Sequence, residues 1–329
     1  MNKVRVVGLD LCGTKIAAGV VDSSGRVLSR IRVPTPARGV KHDLAAMFDA
    51  VHAAVGAAGV AISAIRAIGA GVPGAFDPRT ETVWDPNLPG WKTVPLKRLL
   101  ERTLNRPAFV EADRNVQALA EIWFSQARAK PRNLIFLAVG TGIGAGLIVD
   151  GRPVTGARGV AGAAGWMVIE REWQREFGRV GCLEYLGAGP AVARQARTTF
   201  RHNRRSLLSR LGSGRNAKLG AELVVEAARR GDATARKILD EVGSNLGRGV
   251  AGMISLLNPE LVIVGGGLAA AGELILKPLR REVKRWGQPL ATRQVTIRRS
   301  MLGDEVGILG AARYALLRLE KPLSARGSL

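Results

Sequence analysis

Apolar positions along the 329-residue chain fall into short strand-like runs and longer stretches with helical spacing. The first three runs are separated only by the short turns 12–15 and 23–26, a pattern that predicts a β-meander. Helix and strand patterns then alternate, and a second block begins with a helix at Asp113. The predicted strands are 4–10, 16–22, 27–33, 65–72, 107–112, 133–140, 145–151, 260–267 and 294–300.

Helical spacing fills much of the remaining sequence. Besides the helix at Asp113, the predicted helices are 42–60, 94–104, 189–200, 218–229, 232–257, 272–286 and 305–319. Two strand–turn–strand hairpins each open a mixed block, so we predict two related α/β lobes with a cleft between them. The smaller lobe is predicted at 1–112 and is completed by the helix 305–319. The larger lobe is predicted at 113–304, and a frayed tail follows at 320–329.

The composition sets the broad class of the protein. Hydrophobic residues make up 47% of the chain, which is enough to bury a large core. No apolar run is long enough to span a bilayer, and the N-terminus leads directly into a strand rather than a signal peptide. We therefore expect a cytoplasmic protein with no membrane partner. The only two cysteines, Cys12 and Cys182, lack CxxC spacing, which argues against a disulfide framework or a cysteine-rich metal site.

The formal net charge of +22 raises nucleic acid, anionic membranes and polyanionic substrates as partners. Nucleic-acid-binding proteins usually combine such charge with a recognition helix or with aromatic stacking residues. Aromatic residues make up only 5% of this chain, and the densest basic run, 200–216, contains Phe200 alone among them. We therefore expect that run to be a solvated surface segment and predict no specific nucleic-acid partner.

The turn after the first strand has the residues of a phosphate-binding turn. Asp10 ends the strand, Gly13 lies in the tight turn, and Thr14 and Lys15 enter the next strand. Backbone N–H groups, a hydroxyl and an ammonium group can bind phosphate oxygens, and a carboxylate at the strand end can hold Mg²⁺ through water. An ordinary hairpin turn is the alternative, because short motifs of this kind recur by chance.

Two further glycine clusters follow strands. One is VGTGIGAGL (139–147), and the other is 265–267, which precedes a helix. Glycines at this density leave the backbone open to close approach by phosphate. A dinucleotide-binding fingerprint is disfavoured, because it needs an acidic residue at the end of the next strand, and Glu282 at about that distance falls within a helix.

Asp113 lies at a predicted strand-to-helix junction, and two roles fit that position. It could cap the helix, as aspartate commonly does. It could also face the cleft as a general base that accepts the proton of an alcohol during phosphoryl transfer.

Taken in order, these segments resemble the ROK family of sugar kinases and repressors from about Val4 to Leu317. EAD at 111–113 is similar to the family's Glu-Asn-Asp, which implies that Asp113 is the catalytic base. The resemblance implies an actin-like (ribonuclease H-like) pair of lobes, ATP and Mg²⁺, and usually a homodimer. The residues that it places at the nucleotide are Asp10, Gly13, Thr14, Lys15, Gly140, Thr141, Gly142, Gly144, Gly265, Gly266 and Gly267.

The sugar side of the resemblance rests on GVPG (71–74), NLPGW (87–91), AGAAGWM (161–167) and GCLEYLGAGPA (181–191). The residues that it places at the substrate are Pro73, Gly74, Asn87, Ala112, Ala163, Trp166 and Glu184. Three of these depart from the family pattern. Ala112 replaces an Asn, Ala163 a Glu and Trp166 a His. We therefore predict a rebuilt sugar pocket in a glucokinase-like kinase.

The same departures bear on metal. The family's zinc site uses that missing His and a cysteine-rich loop, of which Cys182 is the only thiol left. A structural zinc site needs about four side-chain ligands, so we predict no structural zinc. Any Mg²⁺ would be held by the ATP phosphates, with Asp10 as the candidate side chain.

Two alternatives to an ATP-dependent sugar kinase remain. The first is a non-catalytic sugar sensor like the family's repressors. Those carry a helix-turn-helix ahead of the kinase-like part, whereas here the phosphate strand begins at residue 4. The second is a sugar kinase that uses polyphosphate as its donor, which the net charge of +22 suggests.

Overall fold

The computed structural model describes residues 3–125, 130–202, 206–212 and 220–320. Its first five-stranded sheet has the order β3–β2–β1–β4–β7. The first three strands are antiparallel, as the short turns between them predict, and β4 and β7 run parallel to β1. The strands are β1 (Arg5–Leu11), β2 (Lys15–Asp22), β3 (Val27–Pro34), β4 (Ile65–Val72) and β7 (Ala108–Ala112).

A second five-stranded sheet repeats this topology in the order β10–β9–β8–β11–β12. Again the first three strands are antiparallel, and the last two run parallel to β8. Its strands are β8 (Leu134–Val139), β9 (Ile143–Val149), β10 (Arg152–Pro153), β11 (Leu261–Gly265) and β12 (Thr296–Arg299). A separate hairpin pairs β5 (Ala75–Asp77) with β6 (Thr82–Trp84).

Twelve helices accompany these strands within the described residues. Each sheet packs helices against its faces, and the two largest hydrophobic clusters lie one against each sheet. The helices are α1 (Val40–Ala57), α2 (Leu96–Leu104), α3 (Asp113–Trp123), α4 (Phe177–Val180), α5 (Cys182–Gly187), α6 (Gly189–His202), α7 (Leu207–Gly212), α8 (Ala221–Arg229), α9 (Ala233–Leu257), α10 (Glu273–Trp286), α11 (Pro289–Gln294) and α12 (Val306–Glu320).

Two helices cross between the sheets. Helix α3 follows the last strand of the first sheet but packs on β8 and β9 of the second, and α12 follows the second sheet but packs on β1 and β4 of the first. Glycines make these contacts possible. A Cβ added to Gly8 or Gly69 would lie within about 2 Å of a carbonyl oxygen of α12, and one added to Gly310 equally close to Val116 O of α3. Backbone therefore meets backbone where the two helices cross.

Most predicted elements match those observed, with boundaries moved by a few residues. The strand predicted at 145–151 is corrected, because β9 begins two residues earlier, at Ile143, and includes Gly144, which the prediction left outside the strand. The short strand β10, the hairpin β5–β6 and the short helices α4, α5, α7 and α11 were not predicted. Parts of the basic run 200–216 and of the helix 218–229 lie outside the described residues, as does nearly all of the tail at 320–329.

The lobe boundaries stay a prediction. The packing of α12 on the first sheet and of α3 on the second fits a division near residue 112, with the C-terminal helix returning to the smaller lobe. None of the described helices is both long enough and apolar enough to cross a membrane.

Candidate active site

The residues singled out in the first lobe meet at one edge of its sheet. Strands β1, β4 and β7 are parallel neighbours, so their carboxyl ends lie side by side. Asp10 is next to the end of β1 and Asp113 directly follows β7. Between them is Gly71 of β4, where an added Cβ would lie 3.5 Å from Asp10 Oδ1 and 3.6 Å from Asp113 Cα. The strand order thus brings two carboxylates together that are about 100 residues apart in sequence.

Asp10 is buried, and its two oxygens differ. Oδ2 accepts a long hydrogen bond from Cys12 Sγ at 3.6 Å, whereas Oδ1 has no hydrogen-bond partner among the described residues. Burial raises the pKa of this carboxyl, and the charge of Lys15 and the bond from Cys12 act against it. A buried acceptor without a partner is uncommon and calls for a ligand or water.

Asp113 is half-buried in the first turn of α3. The cap position is Ala112, and Asp113 Oδ1 accepts from Arg114 N at 2.6 Å, so the helix-capping role is not the one that the structure assigns to it. Burial raises the pKa of Asp113 to about 6; Arg114 lowers it, while Asp10 and Asp85 raise it. A carboxylate with this pKa is ionised at neutral pH and basic enough to accept a proton.

The pKa of Asp113 leads to a pH dependence. If Asp113 must be deprotonated to act as a base, kcat/KM in the free enzyme should decline below a midpoint of about pH 6. Below that midpoint the rate should fall about tenfold per pH unit. Steady-state kinetics across buffers of constant ionic strength measures this profile. A rate that stays constant down to about pH 4.5 would show that Asp113 does not titrate in catalysis.

Three glycine-containing turns supply open backbone. Apart from the glycine itself and its two chain neighbours, no described residue has an atom within 4 Å of a Cβ built on Gly13, Gly140 or Gly267, so these positions border open space. Thr14 and Thr141 are exposed beside them. Lys15 is half-buried, and its Nζ donates to Asp304 Oδ1 at 3.2 Å.

The second and third of these turns lie together. The Cβ position of Gly266 points at Val139 O, 2.4 Å away, so the turn 265–267 packs against the end of β8. Gly140 O accepts from Gly189 N at 2.8 Å, which brings the start of α6 to the same place. Gly265 is buried against Phe136, whereas Gly266 and Gly267 are exposed. The arrangement of these two turns fits one side of a nucleotide-binding pocket.

Two glycines of GTGIGAG serve packing needs that the sequence did not reveal. A Cβ on Gly142 would lie 2.8 Å from Glu184 Oε2, and one on Gly144 would lie 3.3 Å from Arg114 Cδ. Gly144 is part of β9 rather than of the turn. The nucleotide contacts predicted for these two glycines stay predictions. At Gly140 of the same motif, by contrast, a built Cβ would border open space.

Glu184 joins the sugar-side segments of the second lobe. Its Oε2 accepts from Ile143 N at 2.7 Å, and burial raises its pKa. A Cβ on Gly165 would lie 2.9 Å from Glu184 Cβ, so the turn 163–166 packs directly on this residue. Ala163 is exposed and Trp166 is 56% exposed, and both therefore have free surface beside Glu184.

On the first lobe, Pro73 and Gly74 follow β4 and are half-buried, and Asn87 is exposed in the turn after β6. Ala112 differs, because its exposure is 0%. Its buried methyl group carries no polar atom that lacks a partner, so the structure gives no support to the substrate contact predicted for Ala112.

Arg114 was missed by the sequence analysis. Its guanidinium is buried and donates to three backbone carbonyls: Gly74 O at 2.7 Å, Gly159 O at 2.9 Å and Ala161 O at 3.0 Å. Gly74 belongs to the first lobe's sugar-side loop, and the other two carbonyls precede the turn 163–166. The side chain of Arg114, the residue directly after Asp113, thus connects both loops.

Asp85 was missed as well. It is 3% exposed after β6, and its charge contributes to the raised pKa of Asp113. In sequence it stands in Asp-Pro-Asn, a combination typical of exposed turns. Its burial is created by tertiary packing, and no local signal indicated it.

The side chains of this site determine which metal ions it could hold. Asp10 Oδ1 has no hydrogen-bond partner among the described residues and belongs to a strand that leads into the open turn at Gly13. This fits a Mg²⁺ held mainly by phosphates and water, because Mg²⁺ binds carboxylate oxygen and keeps several waters. Among the described residues, no group of three or more His, Cys, Asp or Glu side chains is arranged to hold a metal ion. The predicted absence of structural zinc stays a prediction.

The profile of the ROK family matches residues 6–318 of this sequence. The chain belongs to the ROK family. The glucokinase of Thermotoga maritima is 34% identical over 314 residues, which cover 95% of this chain and 97% of that one. The structure of a ROK family glucokinase from Streptomyces griseus in complex with glucose and AMPPNP has a TM-score of 0.81 at 33% identity, covering 95% and 99% of the two chains.

The ROK family also contains regulators. The xylose repressor of Caldicellulosiruptor bescii is 32% identical over 267 residues, which cover 80% of this chain and 66% of the repressor. The predicted ROK membership and the actin-like, two-lobed α/β fold are confirmed by these comparisons and by the two sheets of repeated topology.

Proposed function

We propose that this ROK protein is an ATP-dependent sugar kinase with Asp113 as its general base. The observation that carries the proposal is the position of the half-buried Asp113, whose pKa is raised. It lies between the sugar-side loops and Asp10, whose Oδ1 has no hydrogen-bond partner among the described residues. The glucokinase relatives, which match nearly the whole chain, support the same reaction class. The complex of the Streptomyces griseus glucokinase with glucose and AMPPNP supports ATP as the donor.

In this mechanism Asp113 accepts the proton of a sugar hydroxyl while that oxygen bonds to the γ-phosphorus and the bond to the ADP oxygen breaks. The turns at Gly13, Gly140 and Gly267 leave room for the nucleotide, and their backbone and the two threonine hydroxyls offer donors to its phosphates. Mg²⁺, when bound, supplies neutralisation of the phosphate charge, and Asp10 would hold it there. Homodimer formation is part of the same proposal.

The sugar pocket is proposed to be rebuilt. Asn87 and Glu184 remain as polar partners for a sugar ring or a cyclitol, while Ala163 offers no side-chain hydrogen bond and Trp166 only one donor. A pocket that lacks partners for a hydroxyl loses selectivity for it, each lost bond being worth on the order of a kcal/mol. We therefore expect glucose to be a poorer substrate than a sugar with less polar surface on the Ala163–Trp166 side.

A panel of hexoses, amino sugars, N-acetylated sugars and cyclitols, assayed with ATP and with polyphosphate, tests the proposal. We expect phosphorylation of at least one member with ATP, and a preferred substrate other than glucose. If glucose has the highest kcat/KM, the rebuilt pocket is wrong while the kinase assignment stands. If polyphosphate is the better donor, the ATP assignment is wrong. If sugars bind in calorimetry without any turnover, the protein is a sensor of the repressor kind.

A further inference from the structure

Asp85 is a buried acidic side chain that the proposed mechanism leaves unused. Its Oδ1 accepts from Asn87 N at 2.8 Å, which closes a tight turn. Its Oδ2 is buried and has no hydrogen-bond partner within the described ranges of the chain. Leaving a buried acceptor unpaired destabilises the folded state, and more so when the group is charged. Such a group in a native protein calls for an explanation.

The turn itself does not need this arrangement. Asp77, in the same hairpin, has the equivalent bond, because its Oδ1 accepts from Arg79 N at 2.8 Å. Its Oδ2 lies 3.6 Å from Arg158 and the side chain is half-buried. One oxygen is sufficient for such a turn, and asparagine serves as well as aspartate. The second, buried oxygen of Asp85 is therefore not explained by local structure.

Asp85 lies at the sugar side of the cleft, close enough to Asp113 for its charge to raise the pKa of that carboxyl. A Cβ on Gly74 would lie 2.9 Å from Asp85 Cα, so Asp85 packs on the loop after β4. Gly74 O in turn accepts from Arg114, the neighbour of Asp113. The bond to Asn87 N ties Asp85 to the other sugar-side residue of this lobe. Asp85 thus lies within the group of residues that flank the candidate base.

We propose that Asp85 Oδ2 binds the substrate by accepting a hydrogen bond from a second hydroxyl of the sugar, one other than the hydroxyl that is phosphorylated. This inference rests on the proposed sugar kinase function. It assigns the substrate to polyols with a free hydroxyl donor on the side of the first lobe. It also supplies the pocket with a carboxylate. The family pattern has a glutamate on the second lobe at the position of Ala163, whereas Asp85 would make the acidic contact from the first lobe.

The inference is tested by Asp85→Asn, with Asp77→Asn as the matched control. The asparagine keeps the turn bond to residue 87 but removes the charged acceptor. Bonds to charged groups contribute about 1.5–3 kcal/mol, so the sugar KM of Asp85→Asn should rise by about 10- to 150-fold. The KM for ATP should change less than about twofold, and Asp77→Asn should resemble the wild type in both constants.

Fluorinated sugars separate substrate contact from a merely structural role. Fluorine removes the hydroxyl proton, so the wild type should lose about tenfold or more in kcat/KM for the analogue substituted at the contacted position. Asp85→Asn should show little of that penalty at the same position. Equal penalties in the two proteins at every position would overturn the inference, as would a sugar KM within about twofold of the wild type.

Stability and activity controls keep the outcomes distinct. If thermal melting shows that Asp85→Asn is poorly folded, Asp85→Ser, which keeps a turn acceptor, replaces it. If the wild type phosphorylates sugars and the variant binds them normally, the role proposed for Asp85 is wrong and the kinase function stands. A wild type that binds sugar without turnover overturns the kinase, and calorimetric binding to the variants then decides the role of Asp85. A wild type that binds no sugar overturns both.

Discussion

Asp113→Asn should lower kcat by about two to four orders of magnitude, because asparagine cannot accept the proton of the attacking hydroxyl. The bond from Arg114 N to the side-chain oxygen can persist, so the start of α3 should keep its shape. The measurement is steady-state kinetics with the best sugar of the panel, supported by circular dichroism to verify folding. The acidic limb of the wild-type pH profile should also disappear from the residual activity.

The stability of this variant provides a second check. The folded-state pKa of Asp113 lies above its ordinary value, so the ionised carboxylate destabilises the folded protein as the pH rises through about 6. Asp113→Asn removes that charge and should be at least as stable as the wild type at pH 7.5. Turnover within about threefold of the wild type in a folded Asp113→Asn protein would exclude Asp113 as the base.

Arg114→Met should have the largest effect on stability among the side chains of the site. It removes three hydrogen bonds to backbone carbonyls. One of these carbonyls is that of Gly159, which is a buried residue. We expect a loss of about 2–4 kcal/mol in the free energy of unfolding, because carbonyls left without a donor cost about 1–3 kcal/mol when buried. The sugar KM should rise as well, since the loops at Gly74 and Ala161 flank the pocket.

Denaturant titration and sugar kinetics measure these effects. Arg158→Met is the matched control, because Arg158 lies in the same second-lobe loop but is exposed and forms an ion pair with Asp77. It should change the unfolding free energy by less than about 0.5 kcal/mol. An Arg114→Met protein as stable as this control, with an unchanged sugar KM, would mean that the two loops hold their positions without Arg114.

The fold could be predicted from the sequence where the hydrophobic periodicity extends over many residues. Except for the two-residue β10, the strands of both sheets and helices such as α9 are each marked by a continuous pattern. The two Gly-containing hairpins indicated the repeat. The hairpin β5–β6 was not predictable, because three residues per strand are too few to show alternation. The start of β9 was missed because Gly144 was assigned to a turn, whereas it lies in the strand, where its missing side chain makes room for Arg114.

The candidate site divides in a similar way. Asp10, Asp113 and Glu184 could be named as candidates because each lies in a motif with a recognisable order along the chain. Asp85 and Arg114 could not, because what matters at both is burial by residues distant in sequence. An arginine in the first turn of a helix ordinarily extends into solvent, and only the folded chain shows its three carbonyl partners.

The crossing of α12 onto the first sheet has a consequence for how the chain acquires its structure during synthesis. Val6, Ala17 and Ala67 of the first sheet are covered by Ile308, Ala312 and their neighbours. About 190 residues separate the end of β7 from that helix, which takes roughly 10 to 40 seconds to translate at ordinary rates. During that interval one apolar face of the nascent first lobe lacks its native cover, so this lobe can be completed only after most of the second lobe has left the ribosome.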